Sequence, residues 1–246
     1  ADNKWGLFPA ASAAWRISKL PVFESSSVVD DLKVRFSYGV TGRSGFDKYI
    51  SLAKYTGYGD YYSDKFGWIK GYGPGNNPNY DLGWEKQVSY NLGIDYTLFN
   101  SRFSGSVDFF IRDGRDVIGD YKVPLPPYLH ETITANVGTT TSKGFELQTN
   151  WDAVQTKDFT YSTNVVLSYT TSKLKSFSNE KYQLGYIDGD GFPSPGNPGS
   201  AQRLQDGTPI GSFYGFKYAG VDENGQILIW EGGKEGGTTK LGSDGN

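Results

Sequence analysis

The sequence has no cysteine and a single histidine, His130. The first absence excludes disulfides and thiolate sites. The second leaves no histidine-based metal site and no Ser-His-Asp triad within the chain. No run of about 18 apolar residues occurs, so no segment qualifies as a transmembrane helix. A membrane barrel is not excluded by this, because its strands give weak hydropathy signals. No signal peptide is visible at the start. Runs of Lys and Arg are missing and the net charge is −3, which argues against a nucleic-acid partner. There is no repeat of fixed period and no low-complexity tract. Apolar residues make up only 37% of the 246 positions.

What the chain does have is aromatic residues and glycine. Aromatics reach 16%, with 18 Tyr, and there are 33 Gly. Few aliphatics with many Tyr and Gly suit long two-faced strands rather than a thick apolar interior.

The clearest such strands lie in Trp84 to Arg112. Trp84, Val88, Tyr90, Leu92, Ile94, Tyr96 and Leu98 share one parity; Glu85, Gln87, Ser89, Asn91, Gly93, Asp95 and Thr97 share the other. Beyond a tight turn at Asn100-Ser101, Phe103, Val107, Phe109 and Ile111 alternate with Arg102, Ser104, Ser106, Asp108 and Arg112. Period-two alternation marks a strand with one apolar and one polar face. A two-residue turn predicts the pairs Phe99–Arg102, Leu98–Phe103, Tyr96–Gly105, Ile94–Val107 and Leu92–Phe109, and on the other face Thr97–Ser104, Asp95–Ser106 and Ser89–Arg112. A slip of one residue would mix the faces along the whole hairpin. Tyr96 opposite Gly105 lets a ring cover a bare glycine. Lys86 on the apolar face and Phe110 on the polar face break the rule. Trp84 to Phe99 would extend about 50 Å, against roughly 17–20 Å for an ordinary globular strand. That length suits the wall of a large barrel.

Other strands are expected at Lys4 to Ile17, Leu32 to Thr41, Lys143 to Trp151, Phe159 to Thr170, Pro209 to Val221 and, starting anew, Gln226 to Trp230. Ser18 to Asp31 reads as a connector with one short helical turn. Long loops are expected at about Arg43 to Gly83, about Asp113 to Ala135, and Ser172 to Thr208. The turn near Val154 to Lys157 needs an odd residue count to keep odd positions paired with odd. The expected fold class is therefore all-β: seven or eight antiparallel up-and-down strands, a partial transmembrane β-barrel wall. Short turns on one rim and long loops on the other are the habit of outer-membrane barrels. Both ends look cut, so the chain reads as part of a longer polypeptide. Two-faced strands alone leave open a soluble sandwich, propeller or lectin that buries the apolar face.

Several stretches together resemble one family: GLFPAASAAWRIS, DLKVRFSYGVTG, LGWEKQVSYNLGIDYTLFNSRFSGSVDFFIR, VGTTTSKGFELQTN and GTPIGSFYGFKYAGV. In order and spacing they are similar to the late-barrel strands of SusC/RagA-type TonB-dependent outer-membrane transporters. The resemblance implies that residues 1–246 are a partial receptor barrel domain, without the family's plug, its energy-coupling segment or its closing C-terminal strand. It implies the bacterial outer membrane as location, a barrel of roughly 22 strands, a SusD-like surface lipoprotein as partner, and coupling to the TonB complex through parts absent from this chain. It also implies active import of large nutrients, oligosaccharide or peptide, with no bond chemistry. The other function class is a soluble β-rich carbohydrate-binding or glycoside-cleaving module.

On the barrel reading, Leu92, Ile94, Val107 and Phe109 face outer-membrane lipid, and Glu85, Asp95, Asp108 and Glu146 face the lumen. Paired carboxylates are what glycoside hydrolysis needs, but on a water-facing wall these are lumen charges. Asp188-Gly189-Asp190-Gly191 resembles a calcium loop but has Phe at 192 where a third oxygen ligand is needed. Asp222 to Gly225 reads as a hairpin turn. Pro124-Leu125-Pro126-Pro127-Tyr128 reads as a stiff loop, and Trp15 and Trp84 as interface or loop-packing residues. No cofactor, metal or catalytic residue is expected. Ten of the 38 residues from Phe46 to Gly83 are aromatic, in a connection that ought to be exposed. Exposed aromatics cost solubility unless they pack or bind. Tyr61, Tyr62 and Trp68 are the first candidates for contact with partner or cargo.

Overall fold

The structure is a computed structural model that describes residues 5–43, 47–178, 185–189, 200–230 and 238–240. The chain divides into two compact units, Ala1–Leu184 and Gly185–Asn246.

In the first unit, β1 (Ala10–Arg16), β2 (Val29–Arg43), β3 (Tyr55–Ser63), β4 (Gly67–Pro74), β5 (Glu85–Leu98), β6 (Phe103–Lys122), β7 (Thr132–Gln155) and β8 (Thr160–Ser176) follow in order. Six of them form one antiparallel sheet, β1-β2-β5-β6-β7-β8, and β3–β4 is a separate hairpin. No helix among the described residues is long and apolar enough to cross a membrane, which says nothing of strands. β7 has 24 residues, about 80 Å of extended chain.

The register of β5 and β6 is the one the alternation predicts: Leu98 opposite Phe103, Tyr96 opposite Gly105, Ile94 opposite Val107, Leu92 opposite Phe109, Ser89 opposite Arg112. Asn100 and Ser101 both hold left-handed φ, 56° and 64°, as a two-residue hairpin turn requires. Phe99, with φ 57°, leaves the ladder and is joined to Arg102 by one hydrogen bond. The Tyr96 ring covers Gly105 and stacks on Phe103 at 5.5 Å.

Register carries the rows across the sheet. Phe36, Leu92, Phe109, Phe145 and Tyr169 stand side by side on five strands, and Val34, Ile94, Val107, Leu147 and Leu167 form the next row. Among the described residues nothing covers the first row. Phe36, Leu92, Phe109 and Tyr169 are 49%, 44%, 49% and 60% exposed. A soluble sandwich would bury this face; here it lies open.

Phe110, the apolar residue on the polar face, is buried. Its ring lies over Gly144, its cross-strand partner, and under the Arg112 guanidinium at 4.3 Å. A Cβ at Gly144 would meet the Phe110 ring at 2.8 Å and the Tyr169 carbonyl oxygen closer still. Gly144→Val should therefore cost about 1–3 kcal/mol, read as a lower denaturant midpoint, while Gly59→Val, with open space around it, should be near neutral.

The buried cluster sits elsewhere, near the β6–β7 connection: Tyr121, Ile133 and Ala135, with Val123, Tyr128, Val137 and Phe177 packed on it. It exists because three neighbouring strands each take one extra residue at the same level. The ladder shifts between Gly114 and Val117 in β6, where Asp116 has φ 56°, between Gly138 and Asn136 in β7, and between Leu174 and Ser176 in β8. Each extra residue swaps the faces beyond it. Odd positions that lie on the apolar face at Phe109 and Ile111 turn to the charged side at Gly119 and Tyr121.

Several expectations are corrected. The segment expected as a loop from Asp113 to Ala135 is strand for most of its length, because the bulges hid its alternation. The loop from Arg43 to Gly83 contains the β3–β4 hairpin. The expected strand Lys4 to Ile17 begins only at Ala10 among the described residues, after Pro9, and the connector holds two short 3-10 turns, Ile17–Lys19 and Pro21–Phe23. The β7–β8 connection has four residues, Thr156–Phe159; a bulge at Ala153 supplies the odd residue instead. The Ala153 carbonyl accepts from Arg102 at 2.8 Å, which ties the two short turns together.

In the second unit, β9 (Tyr186–Asp188) pairs with β10 (Arg203–Gln205), and β11 (Tyr218–Val221), β12 (Ile227–Trp230) and β13 (Thr238–Lys240) form a small antiparallel sheet. The strand expected over Pro209 to Val221 is confined to Tyr218–Val221, since Gly211 turns left-handed at φ 87°. Asp222 caps its turn, accepting from the Asn224 and Gln226 amides at 2.9 Å. Asp188 pairs with Arg203 at 3.0 Å; Asp190 and Gly191 lie outside the described residues.

Candidate functional site

Two surfaces of the first unit carry the functional candidates. The first is the charged face of the sheet. Glu85, Asp95, Asp108 and Glu146 lie on it together, opposite the face that holds Leu92, Ile94, Val107 and Phe109. Arg35 on β2 reaches across two strands. Its Nε donates to both Asp95 oxygens at 2.9 Å and its guanidinium meets Asp108 at 2.9 Å. Lys33 joins at 2.8 Å from Asp95. Glu85 pairs with Arg43 at 3.4 Å. Glu146 stands beside Asp108 in register, exposed. Each partner of the Arg35 network keeps roughly a third of its surface in solvent, so each pair contributes about 0–1 kcal/mol. The network fixes side-chain directions more than it adds stability. It also leaves Asp95 and Asp108 each paired with a cation. Among the described residues no three His, Cys, Asp or Glu side chains gather as a metal site.

The second surface is the β3–β4 hairpin. Tyr62 and Trp68 pair across it and meet edge to face at 5.6 Å. Tyr61 pairs with Ile69 on the other side of the ribbon. Tyr55, Tyr58, Tyr61, Tyr62, Phe66, Trp68 and Tyr72 are all more than half exposed, and Trp68 reaches 74%. Beyond the Tyr62–Trp68 contact these rings do not fold onto one another into a packed loop.

Asparagines hold the base of the hairpin. The Asn76 side chain accepts from the Lys54 amide at 2.8 Å and donates to the Leu52 carbonyl at 2.9 Å. Asn77 is buried and fully used. It donates to the His130 and Thr132 carbonyls at 2.6 and 2.9 Å and accepts from the Leu129 and His130 amides at 3.1 and 3.2 Å. Asn79 donates to the Thr134 carbonyl, and Asn136 exchanges bonds with Gly83. His130 touches the Pro74 carbonyl at 3.0 Å. The hairpin thus presents aromatic faces to solvent from a base pinned to the β6–β7 connection. None of these asparagines stood out in the sequence.

The family model for the TonB dependent receptor-like β-barrel matches residues 1–241. The chain belongs to that family. TonB-dependent receptor SusC of Bacteroides thetaiotaomicron is 28% identical over 231 residues, covering 92% of this chain and 23% of SusC. TonB-dependent receptor P39 of Formosa agariphila is 32% identical over 218 residues, 88% of this chain and 19% of that protein. Among solved structures, the RagAB peptide transporter superposes with a TM-score of 0.80 at 26% identity, over 99% of this chain and 25% of that one. The chain spans about a fifth to a quarter of the length of these relatives. The SusC/RagA resemblance holds, and with it a place in the bacterial outer membrane. The family is one of receptors, not enzymes, and its match over residues 1–241 sets the soluble carbohydrate module aside.

Proposed function

We propose that this receptor-barrel segment is part of an outer-membrane importer for large nutrients, glycans or peptides, energised through TonB. Its apolar face meets lipid, and Glu85, Asp95, Asp108 and Glu146 line the lumen. The β3–β4 hairpin projects from the long-loop rim and contacts a SusD-like surface lipoprotein or the cargo through Tyr61, Tyr62 and Trp68. The observation that carries the second half is the exposure of seven rings on a pinned base. Tyr and Trp bring large amphipathic area at little entropic cost, which suits partner anchoring and sugar stacking. Replacing Tyr61, Tyr62 and Trp68 with Ala in the full-length transporter should lower lipoprotein association or cargo uptake by about tenfold or more, with barrel assembly unchanged. Wild-type association and uptake in an assembled barrel would make the hairpin purely structural.

A further inference from the structure

The register gathers five cations on the apolar side of the sheet, at the edge nearest the long loops. Lys86 on β5 stands opposite Arg115 on β6. Lys143 on β7 stands opposite Ile111, one row above Phe109 and Phe145, and Lys173 on β8 stands opposite Thr141. Lys175 occupies the β8 bulge. All five are exposed. One carboxylate, Asp113, stands among them and pairs with Lys175 at 3.3 Å. Among the described residues the other four have no ion-pair partner. Asp81 and Asp116 line a hollow shared with Lys86 but stand beyond ion-pair distance. The four strands span about 14 Å across at 4.8 Å per step.

Directly below is an open apolar hollow of about 490 Å³ between Leu92, Phe109, Phe145 and Tyr169, with Lys143 and Thr171 on its rim. A cationic belt above a hydrocarbon-sized hollow matches one kind of molecule, a lipid with an anionic head. We propose that the outer surface of β5–β8 holds a phosphate-bearing lipid of the outer leaflet, with its headgroup on Lys86, Arg115, Lys143 and Lys173 and an acyl chain in the hollow. Each basic side chain near a membrane surface adds attraction for anionic headgroups, and the attraction falls within a Debye length. This rests on the apolar face meeting lipid, as proposed above.

The test uses the full-length transporter and a Lys86→Gln, Arg115→Gln, Lys143→Gln, Lys173→Gln variant, leaving Lys175 with Asp113. Both are placed in phosphatidylcholine vesicles with and without a minor fraction of lipid A, then extracted in mild detergent. The lipids that remain bound are counted by mass spectrometry. Wild type should retain lipid A over phosphatidylcholine by about tenfold or more, and the variant should lose that preference. Salt on the order of 1 M should abolish it in wild type. A wild type without preference, or a variant that keeps it, overturns the belt. Failure of wild type to insert even into phosphatidylcholine would instead overturn the lipid-facing assignment beneath it.

Discussion

Arginine in place of Ile94 should cost about 2–4 kcal/mol of folding free energy in a bilayer, while arginine in place of Ser106 should cost far less. The two positions are near neighbours on opposite faces. Ile94 stands between Val34 and Val107, in a row that continues to Leu147 and Leu167. With this face toward lipid, as proposed, a guanidinium there would have hydrocarbon around it and no carboxylate in its row. Ser106 stands between Asp95 and Gln148, one position from the Arg35 network. With that face toward the lumen, as proposed, a new cation there would meet water and the Asp95 carboxylate. Denaturant titration of the full-length protein in phosphatidylcholine vesicles reads both. Equal small costs would mean that the apolar face does not meet lipid, and a larger cost at Ser106 would mean that the faces are inverted.

Asn77→Ala should release the base of the aromatic hairpin. The change strips partners from two carbonyls and two amides at a position only 7% exposed. Unsatisfied buried groups cost about 1–3 kcal/mol each, less where water enters, so a local loss of about 2–4 kcal/mol is expected. Hydrogen exchange at the Leu129 and His130 amides should accelerate by about two orders of magnitude, with Leu92 and Phe109 unaffected. Asn77→Asp keeps the acceptors and loses the donors, so it should fall between. If exchange at 129 and 130 is unchanged, the side chain is not what holds the two loops together.

The register of the central hairpin could be read from the sequence up to Leu98–Phe103, because both of its strands keep alternation and the turn admits one register; the left-handed φ that takes Phe99 out of the ladder could not. The upper halves of β6 and β7 could not. Asp116, Val137 and Lys175 each shift the parity by one, and a reader counting in twos sees noise where a strand continues. The β3–β4 hairpin was hidden for another reason: Tyr and Trp stand on both of its faces, so it has no apolar and polar side to detect. Its aromatic content was visible, and so were its candidate residues, but not the asparagine base that fixes it. The cationic belt was invisible because its members are about 30 positions apart in sequence and meet only through pairing across four strands. The charge count of −3 describes none of this, since an average over the chain erases a patch.

The three aligned bulges also set how such a barrel can be altered. Below them, inserting or deleting one residue in a strand turns every later side chain inside out. At Asp116, Val137 and Lys175 the count is already shifted by one, so the segment above keeps a fixed but inverted parity. Loop-bearing ends taken from a barrel without these bulges would therefore fit at this seam only if one residue were dropped from each strand. A joint made a few residues lower, at Phe109 or Phe145, would succeed only when the donor and recipient frames happen to agree.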